Sequence, residues 1–411
     1  MKINKHCFPN GLRLVHYEDT STQMVALNIV YDVGARDEHP EHTGFAHLFE
    51  HLMFGGSAHI PDYDTPLQLA GGENNAWTNN DITNYYLTVP KPNVETAFWL
   101  ESDRMLELAF SEQSLEVQRG VVMEEFKQRC LNQPYGDVGH LFRPLAFRVH
   151  PYRWPTIGKE LSHIEQATLD EVKSFFYRFY APNNAVLAVT GNISWDETVK
   201  LTEKWFAPIP RRDVPVRQLP QEPEQTQERR LTVERNVPLD ALFMGYHMCS
   251  REGADYYAFD ILSDILSNGR SSRLNRRLVQ EQNIFSGIDA YISGTRDAGL
   301  LQISGKPAAG VSLEQAEAAV RKELEELQRS PVDGQELEKV KNKFESTQIF
   351  GNINYLNVAT NLAWFELTGK AEDIDLEVER YRSVTTEQLH TVAQRTFCES
   401  NAVVLYYKSD T

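Results

Sequence analysis

A duplicated fold, in which two similar domains each mix helices and strands, is what this sequence predicts, and three observations carry the prediction. The chain has 411 residues, too many for one ordinary core and enough for about two domains of some 200 residues each. A segment of the first half recurs in the second: Thr168-Leu169-Asp170-Glu171-Val172, Arg178-Phe179 and Asn184-Ala185-Val186-Leu187 match Thr385-Thr386-Glu387-Gln388-Leu389, Arg395-Thr396-Phe397 and Asn401-Ala402-Val403-Val404. Thr168 to Asn184 and Thr385 to Asn401 are both separations of 16, so the register holds without a gap. Each copy reads as a capped helix followed by a core strand. Between the halves, Pro208 to Gln227 is dense in proline and charge and reads as a linker. The expected division is a first domain over 1–207, a linker over 208–228 and a second domain over 229–411.

Taken in order, Leu12 to Tyr17 and Val25 to Val33 are rich in branched and aromatic residues and predict two strands. The second runs through Gly34 into an acidic loop, Arg36 to His42, in which His39 and His42 are expected to be solvated. Next comes Thr43 to Ser57. Its apolar residues Phe45, Leu48, Phe49, Leu52 and Met53 recur at helical spacing, and Gly55-Gly56 supplies a stop. On that helix His47 and His51 stand one turn apart on the same face and can grip one metal ion, while Glu50 can reach a water at the metal. This is the His-x-x-Glu-His order, the inverse of the commoner zinc-peptidase motif. Such a pattern arises by chance in a chain of this length on the order of one time in a hundred. The competing reading, ordinary core histidines, requires two imidazoles and a carboxylate to be buried among bulky apolar neighbours without a metal, which is costly.

Thr65 to Ala70 predicts a short helix ended by Gly71-Gly72. Residues 74–79 and 83–89 predict a hairpin around Asn80-Asp81. Its first strand is unusually polar, as expected of an edge strand, and an edge is where an extended peptide can add itself. An ordinary solvated edge satisfies the same spacing. Asn93 is expected to cap a helix running through Leu108, and a second helix is expected from about Ser114 to Phe126. The second carries Glu124 and Glu125 within an apolar stripe. One of them is the candidate third ligand, because an oxygen from a separate helix would complete a His-His-Glu catalytic site with its fourth position open. A surface salt bridge is the alternative for either. In the second half, Phe259 to Gly269 is the counterpart of the histidine helix and has no histidine, so only the first half can carry the chemistry.

Composition sets outer limits. With 41% hydrophobic and 24% charged residues, the chain has the balance of a globular protein. It contains no apolar run of about 18 residues or more, and Met1 to Gly11 lacks the apolar core of a signal peptide, so a cytoplasmic location is expected. Cys7, Cys130, Cys249 and Cys398 are scattered, which argues against a disulfide framework and a thiolate zinc site. A formal net charge of -17 repels nucleic acid and anionic membranes and favours cationic partners such as basic peptides.

Over essentially its whole length the sequence resembles the pitrilysin and insulinase family of inverted-motif zinc peptidases. It is most similar to the half-length members, which include the mitochondrial processing peptidase and bacterial relatives. The resemblance rests on Asn10-Gly11-Leu12-Arg13, Gly44 to Phe54, Asn75-Ala76-Trp77-Thr78, Arg119 to Glu125, His150-Pro151-Tyr152 and Gly269 to Leu274. It implies an α+β fold of two similar domains, each a largely antiparallel sheet covered by helices. It further implies one Zn2+ per chain held by His47, His51 and Glu125, with Glu50 as the catalytic base. Peptide substrate is expected along Asn74, Asn75, Ala76, Trp77 and Thr78. Gln118, seven residues before Glu125, stands where many relatives carry a supporting carboxylate. Family members that act alone or as homodimers carry an arginine and a tyrosine seven residues apart in the second half. Val279 and Ser286 occupy those places here, with Arg276, Arg277 and Tyr291 nearby. The expectation is therefore a zinc endopeptidase that works as a dimer, specifically as the metal-bearing subunit beside a homologous chain that supplies the arginine and tyrosine. A non-catalytic peptide-binding or scaffold subunit of the same family is the alternative.

Overall fold

In the computed structural model, residues 1–410 are described, and they form two compact units. Unit one comprises Met1–Leu131, Trp154–Pro220 and Ile349–Leu376; unit two comprises Asn132–Arg153, Gln221–Gln348 and the chain from Glu377 onward. Two segments thus depart from a division drawn at 207 and 229. Asn132–Arg153 belongs with the second unit, and Ile349–Leu376 belongs with the first.

Unit one is built on a six-stranded sheet of β1 (Asn4–Cys7), β2 (Arg13–Glu18), β3 (Met24–Tyr31), β4 (Glu73–Thr78), β5 (Thr83–Pro90) and β6 (Ala185–Gly191). The strand order is β1-β2-β6-β3-β5-β4, and only β2 and β6 run parallel. Unit two has five strands, β7 (Arg229–Arg235), β8 (Ala241–Met248), β9 (Phe285–Ile292), β10 (Gly299–Pro307) and β11 (Ala402–Ser409), in the order β7-β11-β8-β10-β9. Its single parallel pair is β7 with β11. Apart from the added β1, the two orders and the place of the parallel pair are the same. The fold is therefore α+β, two mostly antiparallel sheets covered by helices, and the duplication extends from the 16-residue register to the topology.

The repeated segment has the same local cause in both units. Thr168 caps the helix Leu169–Phe179 in a reciprocal box with Glu171, and Thr385 caps Thr386–Thr396 by accepting from Gln388 N. Each helix then delivers the chain to a buried strand, β6 or β11.

Both faces of each sheet are covered. In unit one, Leu27, Ile29, Tyr85 and Leu87 pack with Leu48, Phe49, Phe98 and Phe176 from the helices on one side. On the other side Val15, Ala26, Val30, Val186 and Ala188 meet Val358, Ala359, Leu362 and Ala363 of the helix Tyr355–Thr368. This explains why β3 reads as an apolar run interrupted only by Asn28 rather than as an alternation. In unit two, Val403, Leu405 and Tyr407 pack with Phe142, Ala146 and Phe147, from or next to the helix Val138–Ala146. Each sheet thus has its second face closed by a helix from a distant part of the chain.

No helix or strand lies between Phe206 and Arg229, yet the segment is pinned at intervals. Arg212 donates to the carbonyls of Tyr180 and Leu106 at 2.7 Å each. Arg217 pairs with Asp32 and Asp37. In unit two, Glu222 accepts from three consecutive backbone N–H groups, those of Arg148, Val149 and His150, at 2.8, 2.9 and 3.0 Å.

Two expected caps differ in detail. Asn93 precedes the helix Val94–Leu106 but makes no capping bond, its amide donating instead to Ala70 O at 2.9 Å. The following helix, Glu112–Phe126, starts before Ser114 because Ser111 accepts from Ser114 N. All four cysteines are free. Among the described residues no helix is long and apolar enough to cross a membrane.

Candidate metal centre

The histidine helix spans Phe45–Leu52 and buries Phe45, Leu48, Phe49 and Leu52 against the sheet of unit one. That packing turns the opposite face, with His47 and His51, toward the helix Glu112–Phe126. There Glu125 meets them, its Oε2 lying 3.6 Å from His47 Nε2 and 3.4 Å from His51 Nε2. Ligand atoms of these three residues all lie within 4.8 Å of one another, and among the described residues they are the one such group of histidine, cysteine and acidic side chains. Glu124 has turned away; it is exposed and accepts from Gln128 Nε2 at 3.4 Å. His39 and His42 lie outside the group, and His42 Nδ1 sits 3.2 Å from Glu171.

The electrostatics suit a cation. Burial pushes His47 down to about 4, so its imidazole is neutral at physiological pH and free to donate a lone pair. Glu125 is held below the ordinary carboxylate range, first by its hydrogen bond with His51 and further by the charge of Arg129. Arg129 Nη1 takes the other oxygen, Oε1, at 2.9 Å. One carboxylate oxygen is thereby engaged, and the other faces the histidines. Arg129 sits on the widened turn Lys127–Leu131 that continues the helix. Its spacing of four from Glu125 was legible in the sequence as a helical pair, but nothing marked it as part of the site. Two imidazoles and one carboxylate, converging from two helices, fit the donor set of a catalytic zinc.

Glu50 lies beside the group. Burial raises its pKa, and a hydrogen bond from Thr78 partly opposes the shift: Thr78 Oγ1 donates to Glu50 Oε2 at 2.7 Å. A carboxyl group whose pKa is raised by burial next to a metal site is suited to exchange protons. Glu50, His47, His51, Glu125 and Arg129 line a cavity of about 430 Å3 together with Asn75, Ala76, Trp77 and Thr78 of β4. β4 is the outermost strand of its sheet, bonded to β5 alone. Asn74 is not part of the lining, its amide donating to Asp64 at 3.0 Å. Gln118 is half-buried and also lies outside it, with Cγ 3.8 Å from where a side chain on Gly55 would begin.

Among the described residues, unit two carries no such group. Val279 packs against its core within the widened stretch Asn275–Glu281. Ser286 Oγ donates to Lys306 O at 3.1 Å. Of the neighbouring residues, Arg277 is committed to Glu323 and Glu326, Arg276 lies 3.7 Å from Glu281, and Tyr291 stands on the outermost strand β9, 48% exposed. His150 is buried with Nε2 3.4 Å from Asp297.

A two-helix His-His-Glu donor set with an adjacent carboxylate, in a cavity walled by an edge strand, has the donors of a zinc site. Comparison with known proteins gives the family. Residues 13–137 match the family described as Insulinase (Peptidase family M16), and residues 166–344 match the one described as Peptidase M16 inactive domain. The chain belongs to the M16 insulinase family. It is 26% identical to the zinc protease PqqE of Helicobacter pylori over 97% of its own length and 91% of that protein. It is 25% identical to the uncharacterized zinc protease YmxG of Bacillus subtilis over 98% of both. A crystal structure of a protease from Helicobacter pylori superposes with a TM-score of 0.94 at 26% identity, covering 99% of each chain. The M16 inactive-domain structure from Pseudomonas fluorescens shares the fold, with a TM-score of 0.90 at 16% identity over 100% and 99% of the chains.

Proposed function

We propose that this chain is a zinc-dependent endopeptidase and that it acts as the metal-bearing subunit of a two-chain enzyme. The observation that carries the reading is the convergence of His47, His51 and Glu125 within 4.8 Å beside Glu50, in a cavity walled by an edge strand. Zinc bound there would supply Lewis acidity and make water a good nucleophile near neutral pH. Glu50 takes the proton of the attacking water and returns one to the departing amine. Thr78 holds the Glu50 carboxyl in one orientation. An extended peptide pairs its backbone with the free edge of β4, which gives affinity with weak sequence selectivity because main-chain bonds do not read side chains. The net charge of -17 favours cationic peptides.

The two-chain part rests on Val279 and Ser286, which stand where an arginine and a tyrosine are expected. A homologous partner would supply those donors, and losing one such donor costs about a hundredfold or more in rate. The same two residues favour a second reading, a non-catalytic peptide-binding subunit. Turnover of a quenched peptide by the purified chain, alone and with a homologous partner, separates the readings. Low activity alone and high activity with a partner supports the proposal; full activity alone removes the two-chain part. Zinc uptake without turnover in any pairing favours the non-catalytic subunit. Glu50→Gln should keep zinc and lose hydrolysis, and undiminished hydrolysis by that variant rejects the catalytic assignment.

A further inference from the structure

The histidine helix has an unusual beginning. It is only eight residues long, and its cap position is Gly44, a residue without a side chain, held at φ 88°. Helices this short are marginal on their own, so the first turn depends on what satisfies its free N–H groups. Here that partner comes from outside the helix. The carboxylate of Glu38 accepts from Gly44 N through Oε2 at 2.9 Å and from Ala46 N through Oε1 at 2.8 Å. Glu38 is 7% exposed, and burial pushes it up to about 8 although both hydrogen bonds oppose the shift.

The turn so held is the one that carries His47, the third residue of the helix. A metal-binding histidine is ordinarily fixed through its second ring nitrogen, which donates to a carbonyl or carboxylate. His47 lacks that device, because its Nδ1 is buried with no hydrogen-bond partner. The placement of its ring therefore rests on the backbone beneath it. Glu38 is itself fixed in place. The preceding residue, Asp37, accepts from Gly34 N at 3.0 Å and pairs with Arg217. Trp154 Nε1 donates to Ala35 O at 3.0 Å.

We propose that Glu38 is a positioning residue for the metal centre, setting the first turn of the histidine helix and through it the ring of His47. The proposal rests on reading His47, His51 and Glu125 as a metal site. His51, one turn further on, has Nε2 3.4 Å from Glu125. The test uses the full chain, wild type, Glu38→Gln and Glu38→Ala, with three readouts: zinc affinity by competition with a chromophoric chelator, the visible spectrum of the cobalt-substituted protein, and thermal melting of the metal-free protein. Glu38→Ala should weaken zinc binding by roughly tenfold to a hundredfold, the range seen when groups behind metal ligands are removed, and should alter the cobalt spectrum. Glu38→Gln, which keeps one accepting oxygen, should fall between, and it decides the matter if the alanine variant does not fold. Unchanged zinc affinity and cobalt spectrum alongside a lowered melting temperature would show Glu38 to be purely structural and overturn the proposal. A wild-type chain that takes up neither zinc nor cobalt overturns the metal reading, and this proposal with it.

Discussion

The hydroxyl of Thr78 donates to the carboxylate of Glu50 at 2.7 Å, joining the outermost strand of the sheet to the helix that carries both histidines. The strand proposed to receive substrate therefore also orients the proposed base. Thr78→Val keeps the shape and removes the donor. It should lower kcat by about tenfold to a hundredfold, part of what general-base catalysis contributes in all, while zinc content stays unchanged. Thr78→Ser should restore most of the loss. Steady-state kinetics with metal analysis checks this, and a valine variant as fast as wild type would remove Thr78 from the mechanism.

Glu124 and Glu125 are adjacent in sequence and differ in what they face. Glu125→Ala should abolish stoichiometric zinc uptake, because it removes the only anionic donor of the set. Glu124→Ala should leave zinc uptake and activity within a factor of about two, as expected of an exposed side chain in a weak contact. Metal analysis after dialysis against limiting chelator distinguishes the two.

Acid should weaken unit two through Glu317. It accepts from Arg230 through both oxygens at 2.7 Å, from Arg321 at 2.7 Å and from Tyr406. Burial opposes its charge, yet these hydrogen bonds together hold its pKa down to about 2. The folded value lies below the unfolded one, roughly 4.3. Its contribution is therefore present above about pH 4.3 and is lost as the pH falls toward 2. Allowing for partial solvent screening, it amounts to roughly 1–3 kcal/mol. Urea unfolding of wild type and Glu317→Gln should differ by that much at pH 7, and the difference should close between pH 4 and 2.

Leu362 lies fully buried on the helix Tyr355–Thr368, against one face of the sheet of unit one. Leu362→Ala should cost about 2–5 kcal/mol, from lost burial and the cavity left behind. Urea unfolding followed by Trp fluorescence measures it. A cost below about 1 kcal/mol would mean that the helix does not close that face in solution.

Much of this was legible in the sequence because the responsible signals are local. Helical spacing around His47 and His51, the capping threonines at 168 and 385 and the polar edge strand all depend on neighbours within a few residues. What stayed hidden depends on groups far apart in the chain. Glu124 and Glu125 are equivalent to a reading by composition, and only the packing of one helix against another decides which faces the histidines. Glu38 lies in a loop whose acidity reads as solvation, yet its carboxylate is buried against backbone N–H groups. The helices Val138–Ala146 and Tyr355–Thr368 each cover a sheet face built from distant parts of the chain, a pairing that local spacing does not give. The anchors of the proline-rich linker are not legible either: Glu222 is held by three main-chain N–H groups that no residue type announces, and Arg217 by carboxylates far away in sequence.

The return of residues 349–376 to unit one has a consequence for how the protein is made. When a ribosome has emitted residues 1–207, the six strands of that unit are complete, but one sheet face, with Val15, Ala26, Val30, Val186 and Ala188, has no cover until the helix ending at Thr368 appears. At about 5–20 residues per second, that is a wait of roughly ten to thirty seconds. For that interval the nascent first half displays a broad apolar surface, making it a natural client for chaperones and a target for proteolysis. A fragment stopped at 207 would remain in that state.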